Sequence, residues 1–239
     1  MSDTEPQATN LATAEQTDHD AATGDYWAQA RLRVVSNWID ELQPDTVLDV
    51  GCGSGYITAA VAERTSIAIG IDPDTDAIAR AKERETTAIY QVGRAADAPN
   101  GPFDVVLAMD VVEHVPPEEI WTPIRDRLKL GGTAIVSVPA HQWLYGEHDR
   151  RQRHRCRFSR QHLGREASEY GLSMTDCRHT NALPLAPYAV MQRMGIEPPE
   201  ETRGSHGPVL EQMKRAALAV EQHWPFPVGI TLMARFERQ

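Results

Sequence analysis

Hydrophobic and polar positions change period several times along this chain, and each change marks an element. Trp27, Val34, Trp38 and Leu42, with Val35 and Ile39 beside them, recur at helical spacing and stop before Pro44, which predicts an amphipathic helix. Short apolar runs then alternate with helix-compatible stretches: Thr46 to Val50, a helix from Tyr56, Ile67 to Ile71, a helix from Asp74, Ala88 to Val92, and Phe103 to Met109. Pro116-Pro117 opens a helix running through Leu128, Gly131-Gly132 closes it, and Thr133 to Val138 reads as a fifth strand. A helix capped by Ser159 runs to Tyr170, Leu172 to Arg178 is a sixth strand, and Val228 to Phe236 alternates as a last one. Between those two strands Val209, Met213, Ala216, Ala217, Val220 and Trp224 form one apolar helical stripe. Such alternation predicts an α/β fold, a doubly wound and mostly parallel sheet with right-handed crossovers.

The pattern starts only at Asp25. Residues 1–24 hold Thr, Ala, Gln, Asp and Glu with no Lys or Arg and almost nothing large and apolar, so they read as a disordered tail before a domain of residues 25–239. With 239 residues, 41% of them hydrophobic, one sizeable core is expected and two full domains would be a squeeze. A formal net charge of -10 argues against general affinity for nucleic acid. No segment has the apolar length needed to span a bilayer, and the N-terminus lacks the basic-then-apolar order of a signal peptide. Cys52, Cys156 and Cys177 show neither zinc-site pairing nor the density of a disulfide scaffold, so the expected compartment is a reducing cytoplasm.

The candidate chemistry begins at Val47-Leu48-Asp49-Val50-Gly51-Cys52-Gly53-Ser54-Gly55, a strand that opens into a loop with glycine at alternate positions. Glycine tolerates positive φ and lets backbone approach a ligand that a Cβ would push away. The glycines stand behind a carboxylate, Asp49, which suits a cationic ligand better than a pyrophosphate. The run Ile67-Ala68-Ile69-Gly70-Ile71 ends in Asp72, where an acidic side chain can hold ribose hydroxyls. A nucleoside carrying a cation points to S-adenosylmethionine. Two plainer readings stay open: a glycine turn serving only strand-to-helix geometry, and an Asp72 that merely caps the next helix.

On these residues the chain resembles the class I S-adenosylmethionine-dependent methyltransferases. Val-Leu-Asp-Val-Gly-Cys-Gly-Ser-Gly and Gly-Ile-Asp-Pro look like the first two cofactor motifs, and Phe103 through Val115 is similar to the family's fourth strand and the loop beyond it. The resemblance implies a Rossmann-like sheet of seven strands, the last inserted antiparallel between the fifth and sixth, with residues 181–224 as an insertion roofing the acceptor pocket. It implies cofactor contacts from Asp49, Gly51, Cys52, Gly53, Asp72, Pro73, Met109 and His114, and a reach from Arg31 to the cofactor carboxylate. The family usually has Gly-Asp-Ala after the third strand, where the aspartate accepts from adenine. Here the chain reads Gly93-Arg94-Ala95-Ala96-Asp97, so Asp97 or backbone carbonyls must serve instead.

Methyl transfer from a sulfonium needs alignment and water exclusion more than a nucleophile of the protein's own. An oxygen acceptor also loses a proton, which calls for a His or carboxylate. His141 and His148, in the stretch after the fifth strand, are the catalytic candidates, with Asp149 as an orienting partner for His148 and His154 nearer solvent. The run Arg150, Arg151, Arg153, Arg155, Arg157 and Arg160 reads either as a solvated face or as recognition of a carboxylate or phosphate. Together with Tyr26-Trp27 and Arg31, this stretch resembles a bacterial subgroup associated with polysaccharide, lipid or natural-product pathways. Asp110-x-x-Glu113-His114 resembles the arrangement by which some relatives hold Mg²⁺, with His141 as a candidate further ligand. Magnesium prefers oxygen, and Asp110 stands where a glutamate is usual, so no metal is expected.

The expected activity is O- or N-methylation of a small molecule or a carbohydrate- or lipid-linked intermediate. Two rivals stay open: a non-catalytic binding subunit that keeps the fold, and an NAD-dependent oxidoreductase on a related sheet. Oligomeric state is not legible.

Overall fold

A computed structural model describes residues 26–194, 220 and 226–239, to which all structural statements below refer. The expected tail, and the apolar stripe from Val209 to Trp224 except Val220, lie outside the described residues. Helix α1 (Tyr26–Leu42) precedes β1 (Thr46–Val50), α2 (Tyr56–Ala62), β2 (Ile67–Asp72), α3 (Thr75–Lys82), β3 (Ile89–Val92), β4 (Phe103–Met109), α4 (Pro117–Arg127) and β5 (Leu128–Pro139). There follow α5 (Glu147–Arg151), α6 (Arg160–Ser168), β6 (Leu172–Thr180), α7 (Leu185–Met194) and β7 (Thr231–Arg238).

The seven strands lie in the order β3-β2-β1-β4-β5-β7-β6. The first five pair in parallel, and β7 runs antiparallel to both β5 and β6. This is the doubly wound, mostly parallel seven-stranded sheet with an antiparallel last strand. Its order reverses at β1, so the carboxyl ends of β1 and β4 open on one crevice. Helices cover both faces. On one, Val35, Trp38 and Ile39 of α1 and Val61 of α2 bury against Val47, Val105, Leu107, Ile135 and Met233. On the other, Ile120, Trp121 and Ile124 of α4 and Leu163 and Ala167 of α6 bury against Val106, Val136, Leu232 and Phe236. Both faces of the sheet being dry, the strands read as continuous apolar runs rather than alternating ones.

The local signals act through ordinary capping. Asp74 caps α3 by accepting from the N–H groups of Asp76 and Ala77, Pro117 opens α4, and Ser159 caps α6 through His162 N–H. One boundary differs from the sequence expectation. Helix α4 ends at Arg127, and β5 already begins at Leu128, which pairs with Phe103. The pair Gly131-Gly132 therefore lies within a strand rather than closing a helix. The register shifts between Phe103 and Val105, and Gly131 takes φ 74°, so the glycines serve an irregularity that local patterning does not separate from a turn. Of the expected insertion, residues 185–194 form α7.

Candidate active site

The glycine loop is tied down from three sides. Gly51, Gly53 and Gly55 all take positive φ (72°, 52° and 77°), a region closed to most side chains. Gly51 N–H and Cys52 N–H donate to Ile71 O at the end of β2 (2.8 and 3.2 Å). Gly53 N–H donates to Asp72 Oδ2 (2.9 Å), while Oδ1 accepts from Asp74 N–H (2.8 Å). Asp72 thus joins the loop to the end of β2, while the capping of α3 falls to Asp74. Tyr90 closes the underside, its hydroxyl donating to Gly55 O (3.2 Å).

Asp49, buried at the end of β1, accepts from Thr58 Oγ1 (2.6 Å), which fixes its carboxylate behind the loop. The Cys52 side chain packs with Ile78, Ala81 and Tyr90, so toward the crevice this residue offers backbone. Pro73 is exposed beside Asp72, and Met109 is nearly buried at the end of β4. Asp97 is exposed and accepts from Arg94 N–H (2.9 Å), closing its own turn. Arg31 reaches across from α1 to form an ion pair with Asp110 just past β4. Asp110 also accepts from Ser137 Oγ (2.6 Å) and takes φ 54°, so the arginine and this carboxylate meet at the crevice.

The acceptor side departs from expectation most clearly at Asp149. Its side chain is fully buried and accepts from Gly146 N–H (2.9 Å), His154 Nδ1 (2.9 Å) and Arg157 Nε (2.8 Å). The orienting carboxylate expected for His148 is therefore committed to His154 and Arg157. His154, expected nearer solvent, keeps only 11% of its side chain exposed. The physical reason is a turn: Arg153 takes φ 57° just past α5, and the chain folds back so that His154 N–H also donates to Asp149 O (2.9 Å). Adjacent residues on a helix point about 100° apart, so His148 and Asp149 diverge.

Burial would raise the pKa of Asp149, yet the His154 bond, the Arg157 charge and the Gly146 N–H together hold it below the ordinary value. The His154 ring stands edge-on to His114 (4.7 Å between centroids) and to half-buried His148 (6.3 Å). Burial, then the nearby His154, lowers His114 to a pKa of about 4. Glu113 is buried beside it with Oε2 unpartnered, and burial followed by the Asp110 charge pushes its carboxyl well above the usual range. His141, φ 65°, stacks on His179 at 5.0 Å, both lowered in pKa first by burial, with hydrogen bonding to Gly229 opposing the shift.

The arginine run divides in two. Arg157 is buried, bonded to Asp149 and to Tyr188 Oη of α7 (2.6 Å), whereas Arg151, Arg153 and Arg160 are exposed. Donor atoms of Glu113, His114 and His154 lie within 4.8 Å of one another. Arg31 faces Asp110 and Arg157 faces Asp149, while burial disfavours the charged forms of both Glu113 and His114. Asp110, the further acidic candidate of the sequence motif, is drawn instead to Arg31 and Ser137. His154 and Arg157 as partners of Asp149, and His179 under His141, had no local sequence signal. Each contact joins positions that only the folded chain brings together.

A pH prediction arises at His114. A buried neutral histidine binds its proton less readily folded than unfolded, so folding stability is lost as pH falls from about 6.5 toward about 4. The full effect approaches ~3 kcal/mol. Glu113 acts oppositely, its stabilisation being present at low pH and lost as pH rises through its elevated folded pKa. Chemical denaturation of His114→Gln against the parent isolates the first effect: the variant's stability falls less steeply between pH 6.5 and 4. Parallel curves would show that His114 charges freely in the folded protein.

The fold and this crevice define a class, and comparison with known proteins agrees. A family model described as a methyltransferase domain matches residues 19–176. The chain belongs to that family, the class I S-adenosylmethionine-dependent methyltransferases. A ubiquinone biosynthesis O-methyltransferase of Pseudomonas paraeruginosa is 36% identical over 118 residues, covering 45% of this chain and 50% of the relative. The chain thus matches about half the length of such curated relatives. Two solved structures share the fold. A TehB-like S-adenosylmethionine-dependent methyltransferase of Corynebacterium glutamicum is 19% identical, with TM-score 0.56 over 90% of this chain and 89% of that one. The Haemonchus contortus phosphoethanolamine N-methyltransferase 2, in complex with S-adenosyl-L-methionine, is 16% identical, with TM-score 0.59 over 98% of this chain and 61% of that one. Family membership sets aside the oxidoreductase reading. Among the described residues no helix is long and apolar enough to cross a membrane.

Proposed function

We propose that this chain transfers the methyl group of S-adenosylmethionine to an oxygen of a small molecule, or of a carbohydrate- or lipid-linked intermediate. The observation that carries the donor half is the bond from Gly53 N–H to Asp72 Oδ2, which holds a glycine loop and a carboxylate at one strand-end crevice. A carboxylate placed there suits paired ribose hydroxyls, and Asp49 behind the loop suits the sulfonium charge. The Asp97 turn then takes the adenine end. Oxygen is favoured as the acceptor atom because three histidines and a buried carboxyl gather beside the crevice, where an amine would need positioning alone. The O-methyltransferase names of the partial relatives point the same way.

Isothermal calorimetry with S-adenosylhomocysteine, followed by transfer of labelled methyl from S-adenosylmethionine to a panel of phenols and of primary amines, tests both halves. Binding of S-adenosylhomocysteine with label on phenols is the expected result. Label only on amines would overturn the oxygen assignment. Binding without transfer to any acceptor would favour the non-catalytic subunit.

A further inference from the structure

The oxygen-acceptor reading leaves open which group takes the hydroxyl proton, and the contacts of Asp149 bear on it. Three donors hold its ionised carboxylate in one orientation. An ionised carboxylate can only accept, so the His154 proton facing it sits on Nδ1, and in the neutral ring the lone pair is on Nε2. The next residue, Arg155, fastens this part of the chain to the segment after β4. Arg155 N–H donates to Glu113 O (2.8 Å), and Arg155 Nη2 donates to Val112 O (3.0 Å). That segment flanks the glycine loop, because a Cβ built on Gly51 would run into the Val111 side chain. Carboxylate and imidazole therefore lie in series beside the segment that borders the crevice, the arrangement by which a third group orients a base.

We propose that His154, oriented by Asp149, is the general base that removes the acceptor's hydroxyl proton during methyl transfer. The acceptor oxygen forms its bond to the methyl carbon as the S–C bond breaks, and that bonding pair stays on sulfur to give neutral S-adenosylhomocysteine. The acceptor proton moves to His154 Nε2. The positive charge thus passes from the sulfonium to an imidazolium facing Asp149, and the site's net charge does not change. His114, uncharged near neutrality, does not compete by repelling the sulfonium. Asp149 is a positioning residue, acting through His154, and His148 stands outside the dyad.

The test uses the full chain. Single-turnover methyl transfer is measured at pH 7.5 to catechol and to 4-nitrocatechol, whose more acidic hydroxyl is largely ionised at that pH. His154→Gln is expected to slow catechol by about a hundredfold or more, the usual worth of a positioned base, and 4-nitrocatechol by less than about tenfold. Binding of S-adenosylhomocysteine should stay within a few-fold of the parent. Equal losses on both acceptors, or a loss in His148→Gln with none in His154→Gln, would overturn the assignment. So would activity lost to a chelator and restored by zinc. ¹⁵N NMR of the histidine-labelled parent, with His154→Gln to assign the signal, needs no acceptor: a pyridine-like Nε2 supports the dyad, and a pyridine-like Nδ1 refutes it. If the parent binds S-adenosylhomocysteine yet methylates neither catechol, the oxygen reading fails by itself and the tautomer still decides the dyad.

Discussion

Replacing Asp72 by alanine is expected to weaken S-adenosylhomocysteine binding by about thirtyfold, equivalent to ~2 kcal/mol. Both carboxylate oxygens already work in the protein alone, one holding Gly53 N–H at 2.9 Å and the other Asp74 N–H at 2.8 Å. Hydrogen bonds to a charged group contribute about 1.5–3 kcal/mol each, and water at this half-buried position recovers part of that. What water cannot restore is the placement of the glycine loop relative to the end of β2, nor an acceptor for the ligand's hydroxyls. The Asp72→Asn variant keeps one acceptor oxygen, so its affinity should fall between the parent and Asp72→Ala. Calorimetry decides the matter. An alanine variant that binds within twofold of the parent would reduce Asp72 to a local turn residue.

Gly51→Ala is expected to lower both affinity and thermal stability, for two separable reasons. At φ 72° a Cβ costs about 1–2 kcal/mol from backbone sterics alone. The same Cβ would overlap Val111 Cγ2, which must move or push the loop away from the segment after β4. A combined cost near ~2–3 kcal/mol corresponds to a melting temperature lower by roughly 5–10 °C for a chain of this size. Adding Val111→Ala removes the overlap and leaves the φ strain. The double variant should therefore recover part of the lost melting temperature, and differential scanning calorimetry can read the difference. Full recovery would show that the backbone strain is negligible, and no recovery would show that the overlap is.

The plainest lesson about legibility comes from neighbours that do not meet. His148 and Asp149 are adjacent in sequence and invite pairing, but α5 sends successive side chains in different directions. The partner lies five residues on, beyond the turn at Arg153. Arg31 offers the complementary case. The resemblance implied a reach from it to the cofactor carboxylate, and the fold pairs it with Asp110, a contact that spans most of the sheet's first half in sequence. Asp97 was a candidate for adenine, and the fold shows it closing the turn after β3 through Arg94 N–H.

What the amino-acid sequence determined by itself was set by local physics. The periods of apolar residues chose strand or helix, Asp74, Pro117 and Ser159 placed helix starts, and positive-φ glycines demanded the loop after β1. Those choices were enough to specify an alternating α/β chain with a ligand-ready crevice. Only the tertiary structure decided that β5 begins at Leu128, that His141 stacks on His179, and that Asp149 serves His154 and Arg157. Each of these depends on strand register or on side chains converging from distant segments. Such contacts follow from close packing around a shared core, which no window of sequence contains.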